Sequence, residues 1–219
     1  MEIKTLLANS GNYTKGRIQE IKYIVLHYTA NNGDTAKGNC NYFATSGRNA
    51  SAHYFVDENN IYQSVADKDT AWSVGASRYV HSICRNNNSI SIEMCSKKDL
   101  SGCYYIKDET VNNSVKLVKT LMEKYRVPIA NVLRHYDVTG KKCPEPFVRD
   151  TSQWVAFKKK LEEEEMEKTA VKISVNGTIK TLEGYNVDGT NYVTIRDLCG
   201  LLGVEVGYDS GEKTVMLSK

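Results

Sequence analysis

Tyr23-Ile24-Val25-Leu26-His27-Tyr28 is a β-branched and aromatic run that gives way to Thr29-Ala30-Asn31-Asn32-Gly33. A short apolar run bounded by turn residues predicts a buried strand. Downstream, Asp34 to Thr45 has a helical pattern, with Asp34 or Thr35 placed to cap it and Gly47 to stop it. His53-Tyr54-Phe55-Val56 and Ile61-Tyr62-Gln63-Ser64-Val65 flank Asp57-Glu58-Asn59-Asn60, the layout of a hairpin. Ser89-Ile90-Ser91-Ile92-Glu93-Met94 alternates, so a strand there puts Ile90, Ile92 and Met94 on one face and Glu93 on the other. Val111, Val115, Val118, Leu121 and Met122 mark one face of a helix over Glu109 to Tyr125. Val132-Leu133-Arg134-His135 leads into a Gly-containing loop, and Val148 to Glu167 reads as a final helix with Trp154, Phe157 and Leu161 on one side. Strands and helices in this order predict an α/β domain, a central mixed β-sheet flanked by helices.

The chain has 219 residues, 41% hydrophobic and 25% charged, which excludes wholesale disorder. Its apolar runs are far shorter than the roughly 20 residues that span a bilayer. Met1-Glu2-Ile3-Lys4-Thr5-Leu6-Leu7 lacks an apolar core of signal-peptide length, so synthesis in the cytoplasm with reduced thiols is expected. Residues 1–160 hold 23 Lys+Arg against 15 Asp+Glu, whereas residues 161–219 hold 6 against 11. A basic front portion suits an anionic polymer, either nucleic acid or cell-wall material, or is simply a solvated surface. Glu162-Glu163-Glu164-Glu165 marks the break. The expected division is a first domain over 1–160, an acidic linker over 161–169 and a small α+β module over 170–219, arranged strand–strand–helix–strand–strand.

The six cysteines form no C-x-x-C pair, which excludes a four-cysteine zinc ribbon and a thioredoxin-type motif. There are four histidines: His27, His53, His81 and His135. His27 ends the first buried strand, and His135 precedes Cys143-Pro144 by eight residues. Two imidazoles and a thiolate suit zinc and leave a position open for water, but residues this far apart make a site only if the fold joins them. By spacing alone, a packing role for each remains the commoner outcome.

Five segments together resemble the zinc-dependent N-acetylmuramoyl-L-alanine amidases of the type 2 family, which includes phage endolysins, autolysins and peptidoglycan recognition proteins. They are Ile24 to Ala30, Ser51 to Asp57, Asp69-Thr70-Ala71-Trp72, Ser91 to Met94, and Arg134 to Pro144, in the family's order over about residues 20–147. The resemblance implies that His27, His135 and Cys143 are the zinc ligands and that Glu93 handles the attacking water. Lys141 matches a position where some members place a catalytic lysine, although Lys142 is adjacent. Tyr28, His53, Trp72 and Tyr136 are candidates for the substrate cleft. His53 is also a candidate for a structural role, and His81 is expected at the surface. Two positions depart from the pattern: Ala52 stands where some members have a catalytic Tyr, and Ser73 where many have a His.

The implied substrate is peptidoglycan and the implied reaction is hydrolysis of the amide between N-acetylmuramic acid and L-alanine. The implied setting is a phage or prophage endolysin that reaches the wall after release. The competing reading is a recognition module without turnover, in which the cysteine-equivalent ligand is lost; here Cys143 is present. A nucleic-acid binder is disfavoured because no helix-turn-helix, RRM or finger pattern occurs. In the last 50 residues, Val175-Asn176-Gly177, Tyr192 to Leu198 and Val206-Gly207-Tyr208-Asp209 resemble the small stalk-like repeat at the N-terminus of copper amine oxidases. That resemblance implies a wall-binding, spacer or dimerising role, and the absence of His there implies no copper site.

Overall fold

The computed structural model describes residues 2–163, 168–187 and 189–218. They fall into two compact units that divide after Glu163. In chain order, the first unit contains β1 (Ile3–Thr5), β2 (Tyr13–Thr14), β3 (Tyr23–Tyr28), α1 (Ala36–Phe43), β4 (Tyr54–Val56), β5 (Ile61–Gln63) and β6 (Thr70–Ala71). There follow β7 (Ser89–Met94), β8 (Lys97–Lys98), β9 (Tyr104–Tyr105), α2 (Asp108–Tyr125) and β10 (Val132–Arg134). It closes with α3 (His135–Thr139), α4 (Glu145–Arg149) and α5 (Thr151–Glu162). Among the described residues, no helix is long and apolar enough to cross a membrane.

Six strands form one mixed sheet in the order β1-β5-β4-β7-β3-β10. β4, β7, β3 and β10 are mutually parallel, and β5 is antiparallel to β4. The alternation of β3 and β7 assigns their faces. Ile24, Leu26, Ile90, Ile92 and Met94 pack under Leu117, Val118 and Leu121 of α2 and Phe157 and Leu161 of α5. On the opposite face, Tyr23 and Val25 meet Val74, Cys84 and Val138, while Phe55 meets Ala36 and Cys40 of α1. Burial on both faces explains why β3 reads as a continuous apolar run.

Several boundaries differ from the sequence expectation. His135 begins a short helix rather than a loop, because Asp137 accepts the Arg134 backbone N–H at 2.8 Å and Gly140 closes the turn at φ 81°. The expected helix from Val148 is two helices, broken at Asp150, whose extended backbone lets its carboxylate accept from the Ser152 N–H. Leu161 belongs to α5 and is buried in the core, so the first unit runs past residue 160. Residues 164–167 of the acidic stretch lie outside the described residues.

The second unit contains β11 (Lys168–Val175), β12 (Thr178–Val187), β13 (Thr190–Val193), α6 (Ile195–Leu202), β14 (Glu205–Asp209) and β15 (Thr214–Ser218). β11-β12-β13 is an antiparallel sheet and β14-β15 a hairpin. It therefore has one strand more than expected before the helix. Asn176 and Gly177 both take positive φ, which folds β11 back on β12 through a two-residue turn. Gly184 is required on β12, since a Cβ would collide with the Tyr192 carbonyl oxygen and Val171. Val187 pairs with Thr190 around the expected Asp188-Gly189 turn, of which Asp188 lies outside the described residues.

Candidate metal centre

Strand register brings the candidate residues into one row. Along β3 and β7, His27 is paired with Glu93, and along β4 and β7, Phe55 is paired with Glu93. β10 pairs Arg134 with Leu26, so the next residue, His135, emerges level with His27. The row lies at the C-terminal ends of parallel strands, where open α/β sheets place their ligands. Cys143 joins it from the loop after α3. The Tyr136 N–H donates to the Cys143 carbonyl at 2.8 Å, and the Cys143–Pro144 peptide is cis.

The ligand-capable atoms of His27, His135 and Cys143 all lie within 4.8 Å of one another, and all three residues are buried. His27 Nδ1 is 3.8 Å from Cys143 Sγ. Nitrogen and sulfur atoms bound tetrahedrally to one ion stand roughly 3.5 Å apart. His27 Nε2 and His135 Nδ1 are buried with no hydrogen-bond partner among the described residues. Burial, with His135 and Lys141 nearby, holds His27 well below the ordinary imidazole range, and burial holds His135 down to about 4. Both rings are therefore neutral and able to ligate. Burial also pushes the Cys143 thiol up to about 12, so its proton leaves only for a strongly bound cation. Two imidazoles and one sulfur fit a borderline-soft divalent ion better than magnesium or calcium.

Glu93 Oε1 is 3.9 Å from His27 Nδ1, and the Glu93 side chain is 21% exposed. Burial raises this carboxyl to about 8, against the pull of Lys141. It can thus hold or release a proton near neutrality. A cavity of about 300 Å³ opens on the row, lined by His27, Glu93, His135, Cys143, Lys141 and Trp72 among others. Tyr28 also lines it. Two adjoining cavities extend the cleft, one past Asp34 and Tyr42, the other past Arg78 and Asn86.

Two candidates for the cleft lie outside its lining, His53 in the structural role that was its other reading. His53 is 1% exposed and absent from the lining. Its Nδ1 accepts the Ser91 N–H at 3.0 Å, and its Nε2 lies 3.2 Å from the Asp69 carbonyl and 2.9 Å from Arg17 Nη2. Both ring nitrogens are thereby occupied inside the fold, so His53 has none left for substrate. Tyr136 lies over the Arg134 guanidinium at 5.2 Å and lines none of the three cavities, because the first turn of α3 directs it outward. Conversely, Phe43 and Phe55 line the cleft, their rings stacked at 5.4 Å. The alternation of β4 was the available signal for Phe55; nothing local marks Phe43.

The N-acetylmuramoyl-L-alanine amidase family matches residues 17–146, more than half of the sequence, and the chain belongs to that family. A probable N-acetylmuramoyl-L-alanine amidase from Bacillus licheniformis is 36% identical over 173 residues, covering 75% of this chain and 48% of that protein. CwlL, an N-acetylmuramoyl-L-alanine amidase from the same species, is 37% identical over 155 residues, covering 67% and 42%. The chain thus spans about half the length of the curated relatives it matches. Among solved structures, that of PlyL is 31% identical with a TM-score of 0.62, covering 74% of this chain and 97% of that one. The catalytic domain of XlyA is 27% identical with a TM-score of 0.62, covering 74% and 99%.

Proposed function

We propose that this chain is a peptidoglycan hydrolase that cleaves the amide joining the lactyl group of N-acetylmuramic acid to L-alanine, with zinc as its metal. The observation that carries the reading is the convergence of His27, His135 and Cys143, within 4.8 Å, beside Glu93. Zinc held by these three residues would supply the Lewis acidity that polarises a carbonyl and acidifies water. Glu93 takes the proton from the attacking water and passes it to the departing amine of L-alanine. Its elevated pKa lets it return that proton near pH 7. Lys141, exposed at the mouth, steadies the negative charge that develops on the carbonyl oxygen. Tyr28 and Trp72 offer ring faces to sugar or peptide. Cys143 serves as a ligand and forms no bond to substrate. The intact three-ligand set favours turnover over simple recognition. In this reading the protein is an endolysin acting on the wall after release, and residues 168–218 form a wall-binding or spacer module.

The test is mass spectrometry of purified walls digested by the full chain. New lactyl carboxylates and free L-alanine amines are expected. New reducing sugar ends without them would reject the amidase reading.

A further inference from the structure

Another cavity, of about 820 Å³, lies at the N-terminal end of β3. It is lined by Lys22, just before β3, by Lys68 and Asp67 after β5, by Tyr125 at the end of α2, and by Arg126 and Pro128 just beyond it. Lys22 and His27 stand at opposite ends of β3, roughly 17 Å apart at the usual strand rise. This cavity is therefore separate from the metal row.

Its charge is unbalanced. Asp67 is committed, accepting from the hydroxyls of Tyr54 and Tyr125 at 2.6 Å each and from Lys124 at 3.0 Å. Glu20 is the other carboxylate in the lining. Against it stand Lys22, Lys68 and Arg126, none in an ion pair within 4.0 Å among the described residues. Behind them Arg17 adds a half-buried guanidinium. Its N–H groups go to the carbonyls of Asp67, Asn87, Ser89 and Asp69, with no carboxylate within 4.0 Å among the described residues. These carbonyls fix its position, and the carboxylates of Asp67 and Asp69 attract it only from beyond 4.0 Å. Arg126 also holds a left-handed backbone, φ 53°, at the helix C-cap where glycine is the unstrained choice. Ile21, Tyr125 and Pro128 give the same cavity an apolar wall, suited to the carbon backbone between successive charges.

We propose that this cavity binds a phosphodiester-linked anionic polymer of the cell wall, holding the enzyme on its substrate independently of the cleft. The proposal rests on the amidase reading only for the choice of polymer; the binding test requires no turnover, so either can fail alone. The experiment is co-sedimentation of the full chain with purified walls that retain the polymer and with the same walls stripped of it by hydrofluoric acid. The triple variant Lys22→Glu, Lys68→Glu, Arg126→Glu and the milder Lys22→Gln, Lys68→Gln pair are compared with the parent, each checked for an unchanged thermal transition.

The apparent Kd on intact walls is expected to rise about fivefold or more in the triple variant, less in the Gln pair, and to weaken with salt. On stripped walls parent and variants should pellet alike. Soluble poly(glycerol phosphate) should compete better than the same phosphate concentration supplied as inorganic phosphate. Equal pelleting of parent and variants on intact walls would overturn the proposal, as would the same loss on stripped walls. Equal competition by inorganic phosphate would reassign the cavity to the free ion. Variant-sensitive binding to duplex DNA with none to walls would replace the polymer with nucleic acid.

Discussion

His27 and Glu93 are direct register partners on β3 and β7, with Nδ1 and Oε1 3.9 Å apart. The pairing is set by main-chain hydrogen bonds and not by attraction between the two side chains. Removing the charge of Glu93 should therefore leave the ligand row standing.

Glu93→Gln keeps the shape and removes the proton acceptor. We expect zinc content equal to the parent by elemental analysis and a fall in kcat on the order of 10²- to 10⁴-fold. Near-parent release of L-alanine amino groups would exclude Glu93 as the proton carrier.

Cys143→Ala removes one of three donors and leaves two neutral imidazoles. Zinc should be lost on dialysis, and the rise in Tm on adding zinc to metal-free protein should shrink. A stoichiometric ion retained by this variant would show that the cysteine only packs.

Below the cleft floor, burial and then Arg17 hold His53 down to about 4. An unfolded chain takes up this proton near pH 6.5, the folded one only near 4. Between those values the unfolded state binds more protons, so stability falls as pH drops, by roughly 3 kcal/mol across the window. Urea midpoints at several pH values should show a shallower acid slope in His53→Asn than in the parent. Parallel slopes would assign the acid sensitivity to other groups.

Truncation after Glu163 removes the second unit and leaves every strand of the six-stranded sheet in place. The shortened chain should unfold cooperatively with a Tm near that of its own transition in the full chain. Its pelleting with polymer-stripped walls should weaken. Undiminished pelleting would make residues 168–218 a passive appendage.

The central strands were legible because their signals are local. β3 announces itself as an apolar run, β7 by alternation, and α2 by its apolar spacing. The convergence of His27, His135 and Cys143 was suggested only by the family resemblance, since His27 and His135 acquire their proximity from the pairing of β3 with β10. The surroundings of His53 and the direction of Tyr136 were not legible. His53 directly precedes β4, and its partners Arg17, Asp69 and Ser91 are separated from it by 36, 16 and 38 positions. Tyr136 is next to His135 in sequence, but the helical turn of α3 sends adjacent side chains in different directions. The half-buried Arg17 was invisible for the same reason, its acceptors lying 50 to 72 residues downstream.

The row Phe55, Glu93, His27, His135 depends on counting as much as on identity. Insert one residue inside β3 ahead of His27, and the imidazole would swing to the layer beneath α2 while Leu26 took its place above the cleft. Descendants of this chain should thus tolerate length changes between the strands and almost none within them, whatever conservative exchanges their ligands allow.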